Sequence, residues 1–140
     1  MTLPKARIPW PRSELAKTLA RLRQKGLIET VVLVEGSFDT LRSAHVRGLQ
    51  AAAEQGQMLV VALRSDAAER KLRGAGHPQR SLRERAELLA ALRCVDAVTS
   101  YGEASIERTL AALRPDVHAL GIDEPGAGPR DRNGRGSRGR

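Results

Sequence analysis

Short runs of apolar residues alternate along the chain with segments in which apolar residues recur at helical spacing. Residues 30–34 and 58–63 are apolar runs of strand length, as expected for parallel strands that are covered on both faces. Residues 97–99 and 117–120 are shorter runs of the same kind. The remaining segments predict helices over residues 13–25, 44–55, 67–72 and 81–92, and a further helix between residues 105 and 115.

Signals for helix ends agree with these boundaries. Ser65 precedes the short helix as a candidate N-cap, and Ser81 with Glu84 has the S-x-x-E form of a capping box. Gly26 and Gly56 follow the first two helices, where glycine commonly ends a helix. Strands separated by helices of this length predict right-handed βαβ units. The expected fold class is therefore α/β: a Rossmann-like parallel sheet with flanking helices in a single domain.

Charge and composition divide the chain into three parts. Residues 1–12 are expected to form an N-terminal extension, residues 13–125 the domain, and residues 126–140 an Arg/Gly-rich tail. The net charge of the chain is +8, and five arginines against one aspartate give +4 in the tail alone. A tail of this composition cannot bury apolar surface and is predicted to be disordered. It could bind RNA or another polyanion weakly, or it could be only a solvated tail.

Composition also narrows the class of protein. No apolar run approaches the roughly 20 residues that a membrane-spanning helix needs, and the first residues lack the apolar block of a signal peptide. These absences predict a cytoplasmic protein with no membrane association. Cys94 is the single cysteine, so no internal disulfide can form, and no cysteine–histidine cluster has zinc spacing. Aromatic residues make up 2% of the chain, so leucine, valine and alanine must build the core.

Residues 31–45 carry the most chemical information. An apolar run ends at Glu35 and Gly36, and a helix begins near Ala44 with His45 in its first turn. A strand, a glycine-containing loop and a helix N-terminus together outline a phosphate site, because loop N–H groups can approach an anion and the helix dipole favours negative charge. The loops after the other strands are expected to converge on the same site, since ligands bind at the carboxyl ends of parallel strands.

The particular residues of this segment carry a family resemblance. Residues 35–45 read E-G-S-F-D-T-L-R-S-A-H, which resembles N-G-x-F-D-x-x-H-x-G-H, the signature of the nucleotidyltransferase superfamily of cytidylyl- and adenylyltransferases. The glycine, the Phe-Asp pair and the final histidine are kept. Arg42 stands in place of the first histidine, and Ala44 in place of the second glycine.

Later segments extend the resemblance. Residues 65–67 read S-D-A, residues 71–78 read K-L-R-G-A-G-H-P, and residues 85–96 read R-A-E-L-L-A-A-L-R-C-V-D. They are similar to S-D-x-S-V-x-R-L-K-G-x-G-R-P and R-A-x-L-L-A-A-L-x-x-V-D, which recur in the adenylyltransferase domain of bacterial ADP-heptose synthesis. The resemblance runs from about Ser13 to Asp123, with the segments in the same order and at the same spacing.

The resemblance implies a reaction and its substrates. Such enzymes transfer AMP or CMP from ATP or CTP to a sugar phosphate, such as heptose 1-phosphate, and release pyrophosphate. Mg²⁺ is the expected cofactor and accompanies the triphosphate. No covalent enzyme intermediate is needed, so the protein positions the substrates and supplies positive charge and N–H donors. The implied partners are therefore a nucleoside triphosphate and a sugar phosphate.

The resemblance implies two catalytic candidates, His45 and Arg42. His45 would donate a hydrogen bond to a phosphate oxygen; the alternative is a partly buried helix residue with a local hydrogen bond. Arg42 can present two N–H groups to phosphate, but it is longer than histidine and cannot share a proton. Ala44 adds a Cβ atom where the family prefers glycine. No residue is assigned as a metal ligand.

Nucleotide-binding roles are implied for eight positions. Arg85 could contact phosphate, or it could pair with Glu84 or Glu87 on the surface. The basic residues of the loop over residues 71–80 could reach a substrate phosphate or simply be exposed, and Asp39 is expected to order its own loop. The set of candidates is Gly36, Ser37, Phe38, Asp39, Lys71, Arg73, Arg85 and Asp123.

The end of the domain departs from the family and keeps several functions open. Residues 120–123 read L-G-I-D where the relatives read K-G-G-D, and Glu124 and Pro125 lead into the tail instead of a further strand and a Ser/Thr-rich loop. The chain could be an active or weakened nucleotidyltransferase, a non-catalytic nucleotide-binding or regulatory relative, or an RNA-associated module that uses its basic tail. His77 and His118 are interpreted as incidental. A homodimer and the identity of the base and the sugar are left open.

Overall fold

The computed structural model describes residues 7–122. The strands are β1 (Val31–Gly36), β2 (Met58–Arg64), β3 (Ala97–Tyr101) and β4 (Val117–Ala119); the helices are α1 (Arg12–Gln24), α2 (Ser43–Ala53), α3 (Asp66–Arg73), α4 (Leu82–Ala90) and α5 (Glu107–Leu113). None of these helices is both long enough and apolar enough to cross a bilayer. The predictions for Asp123 and for the tail over residues 126–140 lie outside the described residues.

The four strands form one parallel sheet in the order β3-β2-β1-β4. The chain proceeds from β1 through β2 to β3 in one direction, and then crosses back to place β4 on the other side of β1. The strand order therefore switches beside β1, and open α/β sheets bind their ligands at the carboxyl edge of such a switch. The predicted Rossmann-like parallel sheet is confirmed.

Both faces of the sheet are covered, which explains why β1 and β2 are almost wholly apolar. Neighbouring strand residues point to opposite faces, so Leu33 and Val34 enter different apolar clusters. Val34 and Phe38 belong to the cluster beneath α2 and α4. Leu33 and Trp10 belong to the cluster beneath α1 and α5.

The predicted starts of α3 and α4 are confirmed by their serine caps. The Ser65 hydroxyl accepts the backbone N–H of Ala68 at 3.1 Å, and the Ser81 hydroxyl accepts that of Glu84 at 3.2 Å. Strand β3 runs beyond its predicted end to Tyr101, because its last residues pair with the last residues of β2. Pairing between strands therefore set an end that local sequence did not reveal.

Trp10 falls within the predicted N-terminal extension but packs as part of the domain. Its backbone N–H donates to the Val98 carbonyl at 2.8 Å, and the Thr99 hydroxyl donates to the Trp10 carbonyl at 2.8 Å. Its side chain is 6% exposed and lies in the cluster beneath α1 and α5. The segment around Trp10 therefore covers the β3 edge of the sheet.

Candidate functional site

Phe38 sets the path of the loop that follows β1. Its φ angle is 50°, a left-handed conformation that non-glycine residues adopt uncommonly. The side chain is buried in the cluster beneath α2 and α4, and this packing stabilises the unusual backbone. The chain then crosses the carboxyl edge of the sheet to reach α2. We call residues 37–42 the phosphate loop.

His45 lies in the first turn of α2. Its Nδ1 atom accepts a hydrogen bond from the backbone N–H of Arg42 at 2.9 Å. Its ring also meets the Phe38 ring edge-on, with the ring centroids 5.8 Å apart. With Nδ1 as the acceptor, a neutral imidazole carries its proton on Nε2. The donor atom of the His45 ring is therefore Nε2.

Arg42 occupies the N-cap position of α2 and has an extended backbone. Its side chain is exposed and makes no ion pair with any of residues 7–122. The start of a helix adds unpaired N–H groups and partial positive charge. The structure thus brings both catalytic candidates, Arg42 and His45, to one helix N-terminus, where an anion is favoured.

Asp39 holds the phosphate loop in place by binding the backbone of a neighbouring loop. Its carboxylate accepts the backbone N–H groups of Gln79 and Arg80, both at 2.8 Å, so the loop before α4 is tied to the phosphate loop. Burial alone would raise the pKa of Asp39, but these two N–H donors hold it below its ordinary value. His77 Nδ1 lies 4.0 Å from the same carboxylate. Both carboxylate oxygens of Asp39, which was also a candidate for nucleotide binding, therefore accept hydrogen bonds from the protein itself.

Arg85 binds backbone carbonyls of the phosphate loop and of two neighbouring segments. Its Nη1 atom donates to the carbonyls of Ser37 and Arg64, at 3.1 and 2.9 Å. Its Nε atom donates to the Arg80 carbonyl at 3.1 Å, and its Nη2 atom to Asp66 Oδ1 at 2.8 Å. One guanidinium therefore joins the ends of β1 and β2, the start of α3 and the loop before α4.

The predicted surroundings of Arg85 require a correction. The side chain is 0% exposed and pairs with Asp66, so it does not form the surface pair with Glu84 or Glu87 that was the alternative to a phosphate contact. It shares the buried side of α4 with Ala86 and Leu89. A charged residue four positions before a buried leucine was the signal in the sequence, because i and i+4 residues lie on one helix face.

Gly36 and Ser37 lie where β1 passes into the phosphate loop. Gly36 is the last residue of β1 and pairs with Leu63 of β2. Ser37 is buried, and its carbonyl accepts a hydrogen bond from Arg85. These contacts anchor the start of the phosphate loop to β2 and α4, and the nucleotide contacts expected of Gly36 and Ser37 stay a prediction.

Lys71 and Arg73 are separated by the turn of α3. Lys71 lines a cavity of about 190 Å³ together with Arg64, Leu72 and residues 102–104. Arg73 instead turns toward Glu69, with Nε 3.3 Å from Oε2. Only Lys71 of this predicted pair therefore faces a cavity at the carboxyl edge.

A further set of polar side chains crosses the same edge, and sequence reasoning did not select it. His118 Nε2 lies 2.8 Å from Glu35 Oε1, and the Tyr101 hydroxyl donates to Glu35 Oε2 at 3.2 Å. Arg64 Nη1 donates to the Tyr101 hydroxyl oxygen at 3.5 Å. Each strand contributes one of these four residues, which we call the edge network. His118, interpreted as incidental, is a member of it.

The edge network is partly buried, and the pKa values of two of its members, Tyr101 and Arg64, are raised. Burial, together with the negative charge of Glu35, raises the pKa of Tyr101 to about 12. Burial opposes the charge of Arg64, but its bonds to Glu69 and Tyr101 raise its pKa above the ordinary value. At neutral pH Tyr101 is therefore a phenol that can donate, and Arg64 is a cation.

The described residues offer a metal ion few ligands of their own. Within residues 7–122 no three histidine, cysteine, aspartate or glutamate side chains come together. Mg²⁺ is commonly bound by one or two carboxylates together with substrate phosphates. Asp66 fits this pattern, because one oxygen binds Arg85 while the side chain is 41% exposed.

The fold and this edge together define a class of protein. A parallel α/β sheet with a buttressed loop and a helix N-terminus at its topological switch is the architecture of phosphate- and nucleotide-binding proteins. Comparison of sequences gives the family: the pattern described as cytidylyltransferase-like matches residues 33–124. The chain belongs to this family of nucleotidyltransferases, and the resemblance seen in its motifs is confirmed.

Similar proteins fall into two kinds. The "Bifunctional protein HldE" of Streptomyces coelicolor is 48% identical over 98 residues, which cover 70% of this chain and 21% of that protein. The "D-beta-D-heptose 1-phosphate adenylyltransferase" of Bordetella bronchiseptica is 42% identical over 113 residues, which cover 80% of this chain and 68% of that protein. The chain thus spans about a fifth of the bifunctional relative and about two thirds of the adenylyltransferase.

A solved structure shares the fold. The lipopolysaccharide core biosynthesis protein from Thermoplasma volcanium superposes with a TM-score of 0.59 and 27% sequence identity. The match covers 70% of this chain and 79% of that chain.

Proposed function

We propose that the protein transfers AMP from ATP, or CMP from CTP, to a sugar phosphate such as heptose 1-phosphate and releases pyrophosphate. Mg²⁺ accompanies the triphosphate. The observation that carries the proposal is the placement of His45 and Arg42 at the first turn of α2, beside a loop that Asp39 and Arg85 hold in place. Family membership and the adenylyltransferase relative support the same reaction. We expect a cytoplasmic protein.

The transfer needs positioning more than acid–base chemistry. An oxygen of the acceptor phosphate forms a bond to the α-phosphorus of the triphosphate. The bond from that phosphorus to the bridging oxygen breaks, and pyrophosphate leaves with the electron pair. His45, Arg42 and the N–H groups of α2 would stabilise the negative charge that shifts onto the phosphate oxygens. The proton on Nε2 of His45 suits this role, because a donor is what an anionic oxygen requires.

The acceptor would occupy the cavity that Lys71 and Arg64 line. Arg85 binds the carbonyls of both Ser37 and Arg64, so one buried side chain sets the spacing between this cavity and the phosphate loop. Fixed spacing matters because a displacement of about 1 Å can cost roughly a hundredfold in rate. The bonds that Arg85 makes to Ser37 and Arg64 therefore suit a reaction between two bound phosphates.

Arg42 supports a second candidate function, namely nucleotide binding without catalysis. An exposed arginine can bind phosphate, but its length and permanent charge differ from those of histidine. A relative that binds nucleotide without transferring it, as a regulatory subunit, would keep affinity and lose turnover. The RNA-associated alternative concerns the tail, which lies outside the described residues.

The first test is calorimetric titration with ATP and with CTP in the presence of Mg²⁺. We expect one triphosphate to bind with micromolar affinity, and the His45→Ala variant to lose about tenfold or more of that affinity, because one hydrogen bond to a charged group is removed. Arg93→Gln is the matched control, since Arg93 is exposed and precedes β3 at the opposite edge. Failure of both triphosphates to bind would contradict the proposal.

The Arg42→His variant separates the two candidate functions. The hydrogen bond to His45 comes from the backbone of residue 42, so it survives the substitution. We expect pyrophosphate release, measured with ATP and a panel of sugar 1-phosphates, to rise by about tenfold or more, in the range typical of a placed charge-stabilising donor. An unchanged rate with unchanged ATP affinity would favour the non-catalytic relative.

A further inference from the structure

We infer that Arg64 binds the phosphate of the acceptor and that Glu35 is a positioning residue, which holds the Arg64 guanidinium in place through Tyr101. The identity of the acceptor as a sugar phosphate rests on the proposed function. The assignment of Arg64 and Glu35 rests on the edge network itself, in which the Glu35 carboxylate binds the Tyr101 hydroxyl and that hydroxyl accepts from Arg64.

The surroundings of the cavity leave positive charge for an anion. Glu69 is shared by two arginines: Arg64 donates to it through Nε, and Arg73 Nε lies 3.3 Å from its other oxygen. Lys71 lines the cavity and makes no ion pair with any of residues 7–122. Arg64 and Arg73 therefore share one carboxylate, and the charge of Lys71 is left for an anion.

The other acidic residue of the cavity has its own cation. Glu103 lines the cavity, but it forms a close ion pair with Arg12, and this hydrogen bond holds the pKa of Glu103 below its ordinary value. Arg12 is itself oriented by a 3.1 Å hydrogen bond to the Thr109 hydroxyl. The charge of Glu103 is therefore paired with that of Arg12, and the cavity suits a phosphate dianion.

Arg64 is built to keep one orientation at the cavity wall. Its side chain is 17% exposed, so part of it reaches the cavity while its Nε and Nη1 atoms bind Glu69 and Tyr101. An arginine held in this way offers a planar set of donors without losing much conformational entropy on binding. Its backbone carbonyl is bound by Arg85, so both ends of the residue are anchored.

Glu35 fixes the orientation of the Tyr101 hydroxyl, which in turn binds Arg64. Its two oxygens accept from Tyr101 and from His118, so the carboxylate cannot rotate without breaking a bond. Tyr101 is almost fully buried, and its hydroxyl donates to Glu35, which leaves the oxygen lone pairs to accept from Arg64. Loss of the carboxylate would let the hydroxyl turn and remove the fixed acceptor from Arg64. The family signature has asparagine at the position of Glu35, so this arrangement is a property of the present chain.

The test is calorimetric titration of the full chain with glucose 1-phosphate as the probe, alongside a separate titration with ATP. We expect Arg64→Gln to weaken glucose 1-phosphate binding about tenfold or more, as for the loss of a hydrogen bond to a charged group. Glu35→Gln and Tyr101→Phe should each weaken it about two- to tenfold. ATP affinity should change by less than about twofold in all three variants.

A double variant and a conservative substitution distinguish a positioning role of Glu35 from an effect on the stability of the fold. The double variant Glu35→Gln/Tyr101→Phe should bind glucose 1-phosphate about as well as the weaker single variant, because both act on the same guanidinium. Arg64→Lys should recover part of the affinity, and Arg93→Gln should retain all of it. Thermal unfolding of each variant, followed through the single tryptophan, verifies that the domain is folded.

Three results would overturn the inference. The wild-type chain could fail to bind glucose 1-phosphate, Arg64→Gln could bind it as tightly as the wild type, or Glu35→Gln could lower the unfolding temperature without changing the affinity. Failure of the proposed function has a different signature, namely absent binding of ATP and CTP with glucose 1-phosphate binding retained.

Discussion

Two regions at the carboxyl edge of the sheet use charged side chains in opposite ways. Around the phosphate loop, Asp39 and Arg85 bind mainly backbone N–H and carbonyl groups. In the edge network, Glu35, Tyr101 and Arg64 bind one another through their side chains. The first arrangement fixes the path of the main chain, whereas the second fixes the orientation of functional groups.

Residues of the first kind determine the backbone conformation of the loop, and residues of the second kind determine which chemical groups are presented to a ligand. A backbone group cannot be replaced by substitution, so a side chain that binds it shapes the loop whatever residues the loop contains. In a network of side chains each member can be substituted separately, and each substitution changes the hydrogen-bonding and charged groups that the network presents. Substitutions beneath the phosphate loop should therefore affect folding first, and those in the edge network should affect ligands and protonation first.

The largest effect is expected from Arg85→Met. Removal of the guanidinium leaves the carbonyls of Ser37, Arg64 and Arg80 without this donor and leaves Asp66 without its cation. We expect the free energy of unfolding to fall by about 3 kcal/mol or more, since each buried carbonyl left without a donor costs about 1–3 kcal/mol. Urea denaturation followed by Trp10 fluorescence gives the value.

The same helix supplies a matched control for that prediction. Arg83 lies two positions earlier, pairs with Glu87 at 2.9 Å and is 73% exposed. We expect Arg83→Met to cost less than about 1 kcal/mol, since exposed ion pairs contribute little. Equal losses for Arg83→Met and Arg85→Met would show that burial of Arg85 does not determine its contribution.

A smaller effect is expected from Asp39→Asn. The amide keeps one acceptor oxygen but places an NH₂ group against the second backbone donor, so we expect a loss of about 1–2 kcal/mol in unfolding free energy at pH 7. The folded pKa of Asp39 is lowered, so its contribution is present above the unfolded pKa of about 3.9 and is lost as pH falls through the folded value.

Stability measured against pH checks this sign. The difference in unfolding free energy between the wild type and Asp39→Asn should shrink as the pH falls below about 4. Glu54→Gln is the control, because Glu54 is exposed and should show no such convergence. A difference that stays constant down to pH 2 would remove Asp39 from the set of residues that order the loop through charge.

The smallest effect tests the edge network without any ligand. Tyr101 is the single tyrosine of the chain, so ultraviolet absorbance during an alkaline titration reports on it alone. Burial and then Glu35 raise its pKa to about 12. In Glu35→Gln we expect the pKa to fall toward the ordinary tyrosine value near about 10 but to stay above it, because burial remains.

An exposed carboxylate outside the edge network provides the control for this titration. Glu84→Gln, which neutralises an exposed carboxylate on α4, should leave the Tyr101 pKa at about 12. If Glu35→Gln left it equally unchanged, the charge of Glu35 would not act on Tyr101, and the network would be a set of contacts without electrostatic coupling.

Much of the fold could be predicted from local sequence. The apolar runs of β1 and β2 and the serines that cap α3 and α4 act through neighbouring residues, so their prediction needed no tertiary information. Trp10 shows the limit of this reasoning. It lies in a segment rich in proline and arginine that reads as an extension, yet it completes the edge of β3 because a partner strand is available there.

The candidate site divides in the same way. The glycine, Phe-Asp pair and histidine of residues 36–45 could be recognised because they are close in sequence and recur as a motif. The buried state of Arg85 could not, since its bond to Ser37 spans 48 residues. The edge network was likewise hidden, because Glu35 meets Tyr101 and His118 across 66 and 83 residues.

Local sequence specified the alternation of strands and helices, the serine caps of α3 and α4 and the motif at the start of α2, all of which follow from interactions within a few residues. The tertiary structure alone decided which charged groups are buried and which partners they bind. The physical reason is that a charge removed from water must find its compensation wherever the fold brings a donor or acceptor. The parallel sheet brings the ends of four strands to one edge, and that edge is where Arg85 and Glu35 find their partners.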